Sequence, residues 1–217
     1  IFMITPQYKA TAMFYVNKVI EEGWSRRRLE DELANNLYTR RGKAITNFSN
    51  ALTLPQSMLA TEMLKDPYTF DFLTLTQGYN EKQLEEALAH NITRFLLELG
   101  SGFAYVGRQL ELRMPNGQSY FPDMVFYHIK MRCYVVVELK VVEFMPEFAG
   151  KLNFYVSAAD HLLRSEDDNS TIGLLICRSK DETIVQWSLE EINRPIGVAS
   201  YQLQEVVDET LRMKLEN

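Results

Sequence analysis

The 217-residue chain has an ordinary globular composition, with 46% hydrophobic and 24% charged residues,. This length is enough for one well-formed core, or for one domain with a small appendage. The net charge of −6 argues against a protein that coats nucleic acid without specificity. No apolar run approaches the length of a membrane span and there is no signal peptide, so we expect a cytoplasmic protein with no membrane partner. The chain begins at Ile1 rather than Met, and we expect a fragment of a longer protein.

The charge is distributed unevenly along the chain. Residues 1–50 contain 8 Lys and Arg against 5 Asp and Glu, whereas the remaining residues contain 15 against 24. A basic N-terminal part is weak support for contact with nucleic acid, and from charge alone a solvated helix face is the simpler explanation. Cys133 and Cys177 both lie in apolar, strand-like runs, so we expect two buried thiols in reducing surroundings.

Two short amphipathic helices are predicted near the N-terminus. Residues 8–22 place apolar side chains at helical spacing, and Ser25 is a good N-cap for a second helix,. An αα-hairpin explains this pattern better than a DNA-binding helix-turn-helix. Residues 42–80 contain many turn-forming residues and are predicted to be mostly loop. A soft boundary in that region divides the chain into a helical segment, residues 1–60, and a larger domain, residues 61–217.

Helices and strands alternate from Asn80 to the C-terminus. The run NEKQLEEALAHNITRFLLELG predicts one long helix that Gly100 ends,. Two strand-like runs follow, joined by the hairpin signal Asn116-Gly117, and the apolar run CYVVVELKVV is a third strand,. The later strands need helical crossovers, and EVVDETLRMKL predicts a C-terminal helix. The resulting order, α-β-β-β-α-β-α-β-α, is that of an α/β fold with a mixed sheet flanked by helices.

Charged residues interrupt two of the predicted strands. Glu138 and Lys140 lie two residues apart in an apolar run, so both side chains project from one face of the sheet. Pro122 and Asp123 lie at a corresponding place in the preceding strand, and Asp123 converges with Glu138 and Lys140 if the two strands are neighbours. Two converging carboxylates repel each other unless a cation neutralises them, and Mg²⁺ prefers such oxygen ligands. A nearby lysine suits phosphodiester hydrolysis, in which it orients or deprotonates the attacking water or neutralises charge on the phosphate oxygens.

The pair Pro122-Asp123 followed by Glu138-Leu139-Lys140 resembles the PD-(D/E)xK motif of restriction-endonuclease-like nucleases. Longer runs, among them LEEALAHNITRFLLELGSGFAYVGRQ and VVELKVVEFMPEFAGKLNFY, are similar to the YhcG family of nuclease-domain proteins. The resemblance implies a restriction-endonuclease-like core and a metal-dependent DNA endonuclease that uses Mg²⁺, with Mn²⁺ as a substitute. Members of that family usually carry a further helical, DNA-binding-like domain, which we expect to precede this chain.

The resemblance also implies roles for individual residues. Asp123 and Glu138 correspond to metal ligands, and Lys140 corresponds to the catalytic lysine. The superfamily often adds an acidic residue from the first core helix, for which Glu85 and Glu86 are the candidates. Glu85 lies on the apolar stripe of its helix and Glu86 points more toward solvent, so Glu85 is the expected third ligand.

Many relatives place a Gln and a Tyr four residues apart on the helix after the Glu-x-Lys strand. This chain has Lys151 and Tyr155 at that spacing. The tyrosine fits the pattern, whereas the lysine departs from it and is a candidate for contact with a substrate phosphate.

Two classes of function remain open at this point. Glu-x-Lys alone also occurs as an ordinary charge pair on edge strands. The alternative to a nuclease is therefore a catalytically silent module that keeps the fold for DNA binding or protein assembly. DNA is the expected partner, duplex or branched, and a homodimer would suit the cutting of both strands.

Overall fold

The computed structural model describes residues 6–204, which form a mixed sheet flanked by helices. The expected α/β fold class is therefore confirmed. The predicted C-terminal helix EVVDETLRMKL lies outside the described residues. Between residues 6 and 204, no helix is both long enough and apolar enough to cross a bilayer.

The helices and strands are numbered in chain order. The helices are α1 Pro6–Glu22, α2 Arg26–Ala34, α3 Leu37–Arg40, α4 Phe48–Ala51, α5 Leu54–Met63, α6 Glu81–His90, α7 Ile92–Leu99, α8 Pro146–Leu162 and α9 Glu182–Glu190. The strands are β1 Ile45–Thr46, β2 Tyr68–Thr69, β3 Phe103–Arg108, β4 Leu112–Arg113, β5 Ser119–Tyr120, β6 Met124–His128, β7 Cys133–Glu143, β8 Ile172–Ser179 and β9 Ile196–Gln202.

The main sheet has the strand order β1-β9-β8-β7-β6-β3, and β2 also pairs with β9. Strands β3, β6 and β7 form an antiparallel meander, whereas β7, β8 and β9 run parallel to one another. Helices α8 and α9 provide the crossovers that parallel strands require. Strand β7 is central and nearly continuous in apolar residues because helices cover it on both sides,.

The sheet separates two apolar clusters. One face packs against α6, α7 and the segment around α5, where side chains such as Leu88, Phe95 and Leu139 are fully buried. The other face packs against α8 and α9 through residues such as Val136 and Leu152. Because β7 contributes to both clusters, its polar residues can be accommodated only where the helices leave an opening.

The predicted N-terminal helical pair is present, and Ser25 caps α2 by accepting a hydrogen bond from the Arg28 amide at 3.2 Å. The segment is tied to the sheet region by a buried ion pair, in which Arg40 Nη1 lies 2.6 Å from Glu98 Oε1 on α7. Lys65 donates to the same glutamate. The N-terminal helices and the larger domain therefore share buried charged contacts.

Residues 42–80 are loop over about half their length, and the prediction missed the regular elements between the loops. This region contains α4, α5 and two short strands, which pair with β9 and complete that edge of the sheet. Its side chains Phe48, Leu64 and Phe70 are fully buried in the core. Contacts with distant residues stabilise these short elements, and such contacts override weak local propensities.

Two predicted elements are divided in the structure. The long helix is split into α6 and α7 at Asn91, whose side-chain amide donates to the Ala87 carbonyl at 3.0 Å and competes with helical hydrogen bonding,. The predicted hairpin is also split: β4 and β5 form a separate two-stranded sheet around Asn116-Gly117, whereas β3 pairs with β6. Gln109, with φ 46°, turns the chain out of β3.

Candidate active site

The candidate site lies where β6 and β7 separate. Pairing of the two strands runs from His128 opposite Cys133 to Met124 opposite Val137, and it does not extend to Glu138. Pro122 has no amide proton and cannot continue the ladder. A side chain replaces the backbone partner beyond the end of the ladder: Asp123 Oδ2 accepts a hydrogen bond from the Leu139 amide at 2.8 Å.

This separation brings Asp123 and Glu138 together, as the sequence predicts. The Asp123 amide donates to Glu138 Oε1 at 3.4 Å. Glu138 is 1% exposed, and burial, followed by the nearby Asp123 charge, raises its pKa from 4.5 to about 7. Burial likewise raises the pKa of Asp123, although its hydrogen bond from Leu139 opposes the shift. The two carboxylates are therefore held close together in surroundings that disfavour a double negative charge.

Lys140 approaches Glu138 but pairs mainly with a different residue. Its Nζ lies 2.9 Å from Glu81 Oε2 and 3.9 Å from Glu138 Oε2. The ammonium also lies 5.2 Å from the centre of the Phe148 ring on α8. The whole Lys140 side chain is buried, and its ammonium lies between Glu81 on α6 and Phe148 on α8.

Glu81 is a residue of the site that the sequence reasoning missed. It lies in the first turn of α6, which begins with a capping box between Asn80 and Gln83. A carboxylate at this position interacts favourably with the helix dipole. The available signal was its spacing, since Glu81 lies four residues before Glu85 and one turn away on the same helix face.

Glu85 is close to Asp123 but is connected to it through Gln109. The Gln109 amide nitrogen donates to Glu85 Oε2 at 2.7 Å and lies 3.4 Å from Asp123 Oδ1. The Gln109 backbone amide also donates to the Asp123 carbonyl at 3.0 Å. Burial raises the pKa of Glu85 against the lowering effect of the Gln109 hydrogen bond. Arg108 Nε lies 3.8 Å from the other oxygen of Glu85.

Gln109 was not identified from the sequence. Its role depends on a left-handed backbone conformation at the end of β3, where non-glycine residues are uncommon. That conformation directs the side-chain amide between Glu85 and Asp123. No motif or periodicity in the sequence indicates it.

Lys151 and Tyr155 lie together on α8 beside the carboxylates. Lys151 Nζ is 2.8 Å from Glu138 Oε2, and it lies 5.1 Å from the centre of the Tyr155 ring. Burial alone would lower the pKa of Lys151, but the hydrogen bond and charge of Glu138 raise it. The Tyr155 hydroxyl lies 3.4 Å from the Phe121 carbonyl, to which it donates. The five residues that the sequence selected on the strands and α8, together with Glu85, therefore surround one site.

The donor chemistry of this site fits a divalent cation. Across residues 6–204, no three His, Cys, Asp or Glu side chains converge closely enough to form a complete metal cluster. Mg²⁺, however, is commonly held by one or two carboxylates, with water and substrate phosphate as its other ligands. Asp123 and Glu138 supply such a pair. The Leu139 amide donates to Asp123 Oδ2 at 2.8 Å, and the Lys151 ammonium, 2.8 Å from Glu138 Oε2, partly compensates the negative charge.

The cysteines and His128 have structural surroundings away from this chemistry. Cys133 and Cys177 are buried, as expected, and burial raises the pKa of each thiol to about 12. His128 Nδ1 accepts a hydrogen bond from the Met131 amide at 3.1 Å. Its ring packs against Gly102, where an added Cβ would lie 2.8 Å from Nε2. These groups fill the core rather than serve as nucleophiles or ligands.

Solved structures with some likeness to this chain include a repair endonuclease and a complex of EndoMS with DNA. A repair endonuclease from Pyrococcus abyssi is 18% identical, with a TM-score of 0.38 over 60% of this chain and 50% of that chain. EndoMS in a complex with dsDNA is also 18% identical, with a TM-score of 0.40 over 63% of this chain and 48% of that chain.

Sequence comparison is more specific. The Escherichia coli (strain K12) protein named "Putative nuclease YhcG" is 32% identical over 197 residues, which cover 88% of this chain and 52% of that protein. The chain therefore spans about half the length of this relative. A family model, described as the YhcG PDDEXK nuclease domain, matches residues 61–216. Because this match covers most of the chain and confirms the resemblance read from the sequence, the chain belongs to the YhcG family of PDDEXK nuclease domains.

Proposed function

We propose that this chain is a metal-dependent endonuclease that hydrolyses phosphodiester bonds in DNA. The observation that carries the proposal is the meeting of Asp123, Glu138 and Lys140 where β6 separates from β7. Membership of a nuclease-domain family supports the general activity. The choice of DNA, the endonucleolytic mode and the roles below are part of the proposal.

Asp123 and Glu138 would hold the cation, with Mg²⁺ as the expected metal and Mn²⁺ as a substitute. Once bound, such a cation lowers the pKa of a coordinated water and stabilises charge on the scissile phosphate. Glu85 would support the pair as a third acidic group through Gln109, which lies between Glu85 and Asp123. The backbone bond from Leu139 holds Asp123 in its orientation.

As an ammonium, Lys140 would orient the attacking water or neutralise charge that develops on the phosphate oxygens. Its ion pair with Glu81 holds the ammonium at the margin of the site, near the two carboxylates. Glu81 is therefore a positioning residue in this proposal. It restricts the lysine without contacting the phosphate.

Lys151 and Tyr155 are the proposed contacts to the substrate. The Lys151 side chain is 45% exposed and lies at the solvent side of the buried Glu138, where a phosphate of the DNA backbone would approach. Tyr155 packs beneath the ammonium and would orient it. A positive charge at this place also attracts the DNA backbone.

The alternative is a nuclease-fold module that binds DNA or assembles with other proteins without turnover. The ion pairs of Lys140 with Glu81 and of Lys151 with Glu138 are the observations that favour it, because both lysines already have partners. A silent module would bind DNA equally well with or without divalent metal. It would also tolerate the loss of Glu138.

Cleavage assays test the proposal directly. Supercoiled, linear, branched and single-stranded DNA, together with an RNA of the same sequence, would be incubated with Mg²⁺ or Mn²⁺. The proposal predicts metal-dependent internal cuts in DNA that are lost in Asp123→Asn and Lys140→Ala. Asp167→Asn, which removes an exposed carboxylate, is the matched control and should cut normally.

The outcomes separate the two candidate functions. Unchanged cleavage by Lys140→Ala would contradict the proposed site. Absence of cleavage together with DNA binding that is insensitive to metal would favour the silent module. Sedimentation of the chain with and without DNA would test the proposed homodimer, which a monomer under both conditions would exclude.

A further inference from the structure

Glu138 forms an ion pair with a lysine of α8 through its Oε2 oxygen. Glu138 Oε2 lies 2.8 Å from Lys151 Nζ, and the side chains are 1% and 45% exposed, respectively. The carboxylate is therefore buried, while the lysine that covers it reaches the surface. Lys140 is 3.9 Å from the same oxygen and is closer to Glu81. Lys151 is thus the cation in direct contact with the proposed metal ligand.

A metal ion and the Lys151 ammonium would compete for this carboxylate. Divalent cations bind carboxylate oxygens at 2.0–2.6 Å, depending on the ion (about 2 Å for Mg²⁺), and the ammonium lies 2.8 Å from one of those oxygens. Two cations on one carboxylate would repel each other at such short range, although water partly screens the charge of the lysine, whose side chain is 45% exposed,. Metal binding at Glu138 therefore requires Lys151 to move or its charge to be compensated.

A substrate phosphate would draw Lys151 away from Glu138 and would also compensate the charge of the ammonium. The exposed lysine stem allows the ammonium to leave Glu138 without disturbing the core, and α8 remains fixed by buried residues such as Leu152 and Val156. A phosphate that approaches the site would form a charge-assisted hydrogen bond with Lys151. The same movement would free Glu138 Oε2 for the metal.

We propose that Lys151 couples the two binding events: it occupies Glu138 in the free protein and moves to a nucleic-acid phosphate when substrate binds, which opens the metal site. This inference rests on the proposed function and assigns its regulation to one side chain. Coupling of this kind is reciprocal, so substrate raises metal affinity and metal raises substrate affinity by the same factor. The free protein would then bind metal weakly and load it together with DNA.

The first arm of the test measures metal binding without DNA. Mn²⁺ binding to the 217-residue chain would be followed by electron paramagnetic resonance near pH 8. Asp123→Asn identifies the signal that belongs to the site. Lys151→Gln should bind Mn²⁺ about tenfold more tightly than the unmodified chain, because it removes the competing charge. Lys130→Ala removes an exposed lysine at the opposite end of β6 and should change the affinity less than twofold.

The second arm measures the coupling itself. Fluorescence anisotropy would give the affinity for a labelled DNA duplex with and without Ca²⁺. Ca²⁺ is the divalent ion in this arm because the measurement follows binding and not cleavage. For the unmodified chain we expect Ca²⁺ to strengthen duplex binding by about 5- to 150-fold, the usual range of coupling between sites. In Lys151→Gln this factor should decrease several-fold, whereas Lys130→Ala should retain it.

The results distinguish this inference from the proposed function. Equal or weaker Mn²⁺ binding by Lys151→Gln, an unchanged Ca²⁺ effect, or absence of duplex binding would overturn the coupling, even if the chain cuts DNA. Tighter Mn²⁺ binding with reduced coupling supports the role of Lys151, even if no cleavage is detected and the endonuclease proposal fails. Circular dichroism would confirm that the exposed substitution leaves the fold unchanged.

Discussion

Replacing Glu138 with Gln should stabilise the metal-free protein at neutral and alkaline pH. The side chain is 1% exposed, and burial together with Asp123 raises its pKa from 4.5 to about 7. The folded protein therefore binds this proton more tightly than the unfolded chain does. Glutamine keeps the size and hydrogen-bonding capacity of the protonated acid, and it removes the ionisation that folding opposes.

The sign and size of the effect follow from this difference in pKa. Because the folded pKa is the higher one, the contribution of Glu138 to stability is fully present below pH 4.5 and is lost as the pH rises through about 7,. Each pKa unit corresponds to about 1.4 kcal/mol. Ionisation of Glu138 therefore lowers the free energy of unfolding by about 3 kcal/mol. This value already includes the opposing attraction of Lys151.

Urea denaturation in EDTA would measure the free energy of unfolding near pH 4.5 and near pH 8. Relative to the unmodified chain, Glu138→Gln should gain about 3 kcal/mol more at the higher pH than at the lower. Glu143→Gln, at an exposed position on the same strand, is the matched control for the loss of a carboxylate. An equal difference at both pH values, or a variant that is less stable near pH 8, would refute the reasoning.

Three further predictions concern residues with clear structural surroundings. Glu98→Ala should lower the free energy of unfolding by about 3–5 kcal/mol in urea, because it leaves Arg40 buried without its charged partner,; a loss below about 1 kcal/mol would contradict this. Gly173→Ala should lower stability by about 1–3 kcal/mol in thermal unfolding scans, since its Cβ would lie 2.9 Å from α8 side chains,. Gly150→Ala has open space around the added Cβ and should raise stability slightly in the same scans,. Gln109→Ala should move the apparent pKa of Glu85, followed by NMR, upward, because a lowering hydrogen bond is lost; an unchanged pKa would exclude that contact.

Much of the fold could be predicted from local patterns. The uninterrupted apolar run around Val135–Val137 indicates a central strand, and it is central in the sheet because both faces are covered. Asn80 caps a helix as expected, since its capping partner lies only three residues away. The short elements between residues 42 and 80 could not be predicted in this way, because pairing with β9 and burial in the core stabilise them.

The same distinction applies to the candidate site. Local sequence patterns were enough to place Asp123, Glu138 and Lys140 at one margin of a sheet, because strand alternation and hairpin order are local properties. The partners of the site residues became visible only in the folded structure: Glu81 beside Lys140, Gln109 beside Glu85, and Lys151 on Glu138. The Glu81–Lys140 pair joins residues 59 positions apart, and such pairs depend on how helices pack against the sheet. Packing geometry is a property of the whole fold, and no local pattern in the chain encodes it.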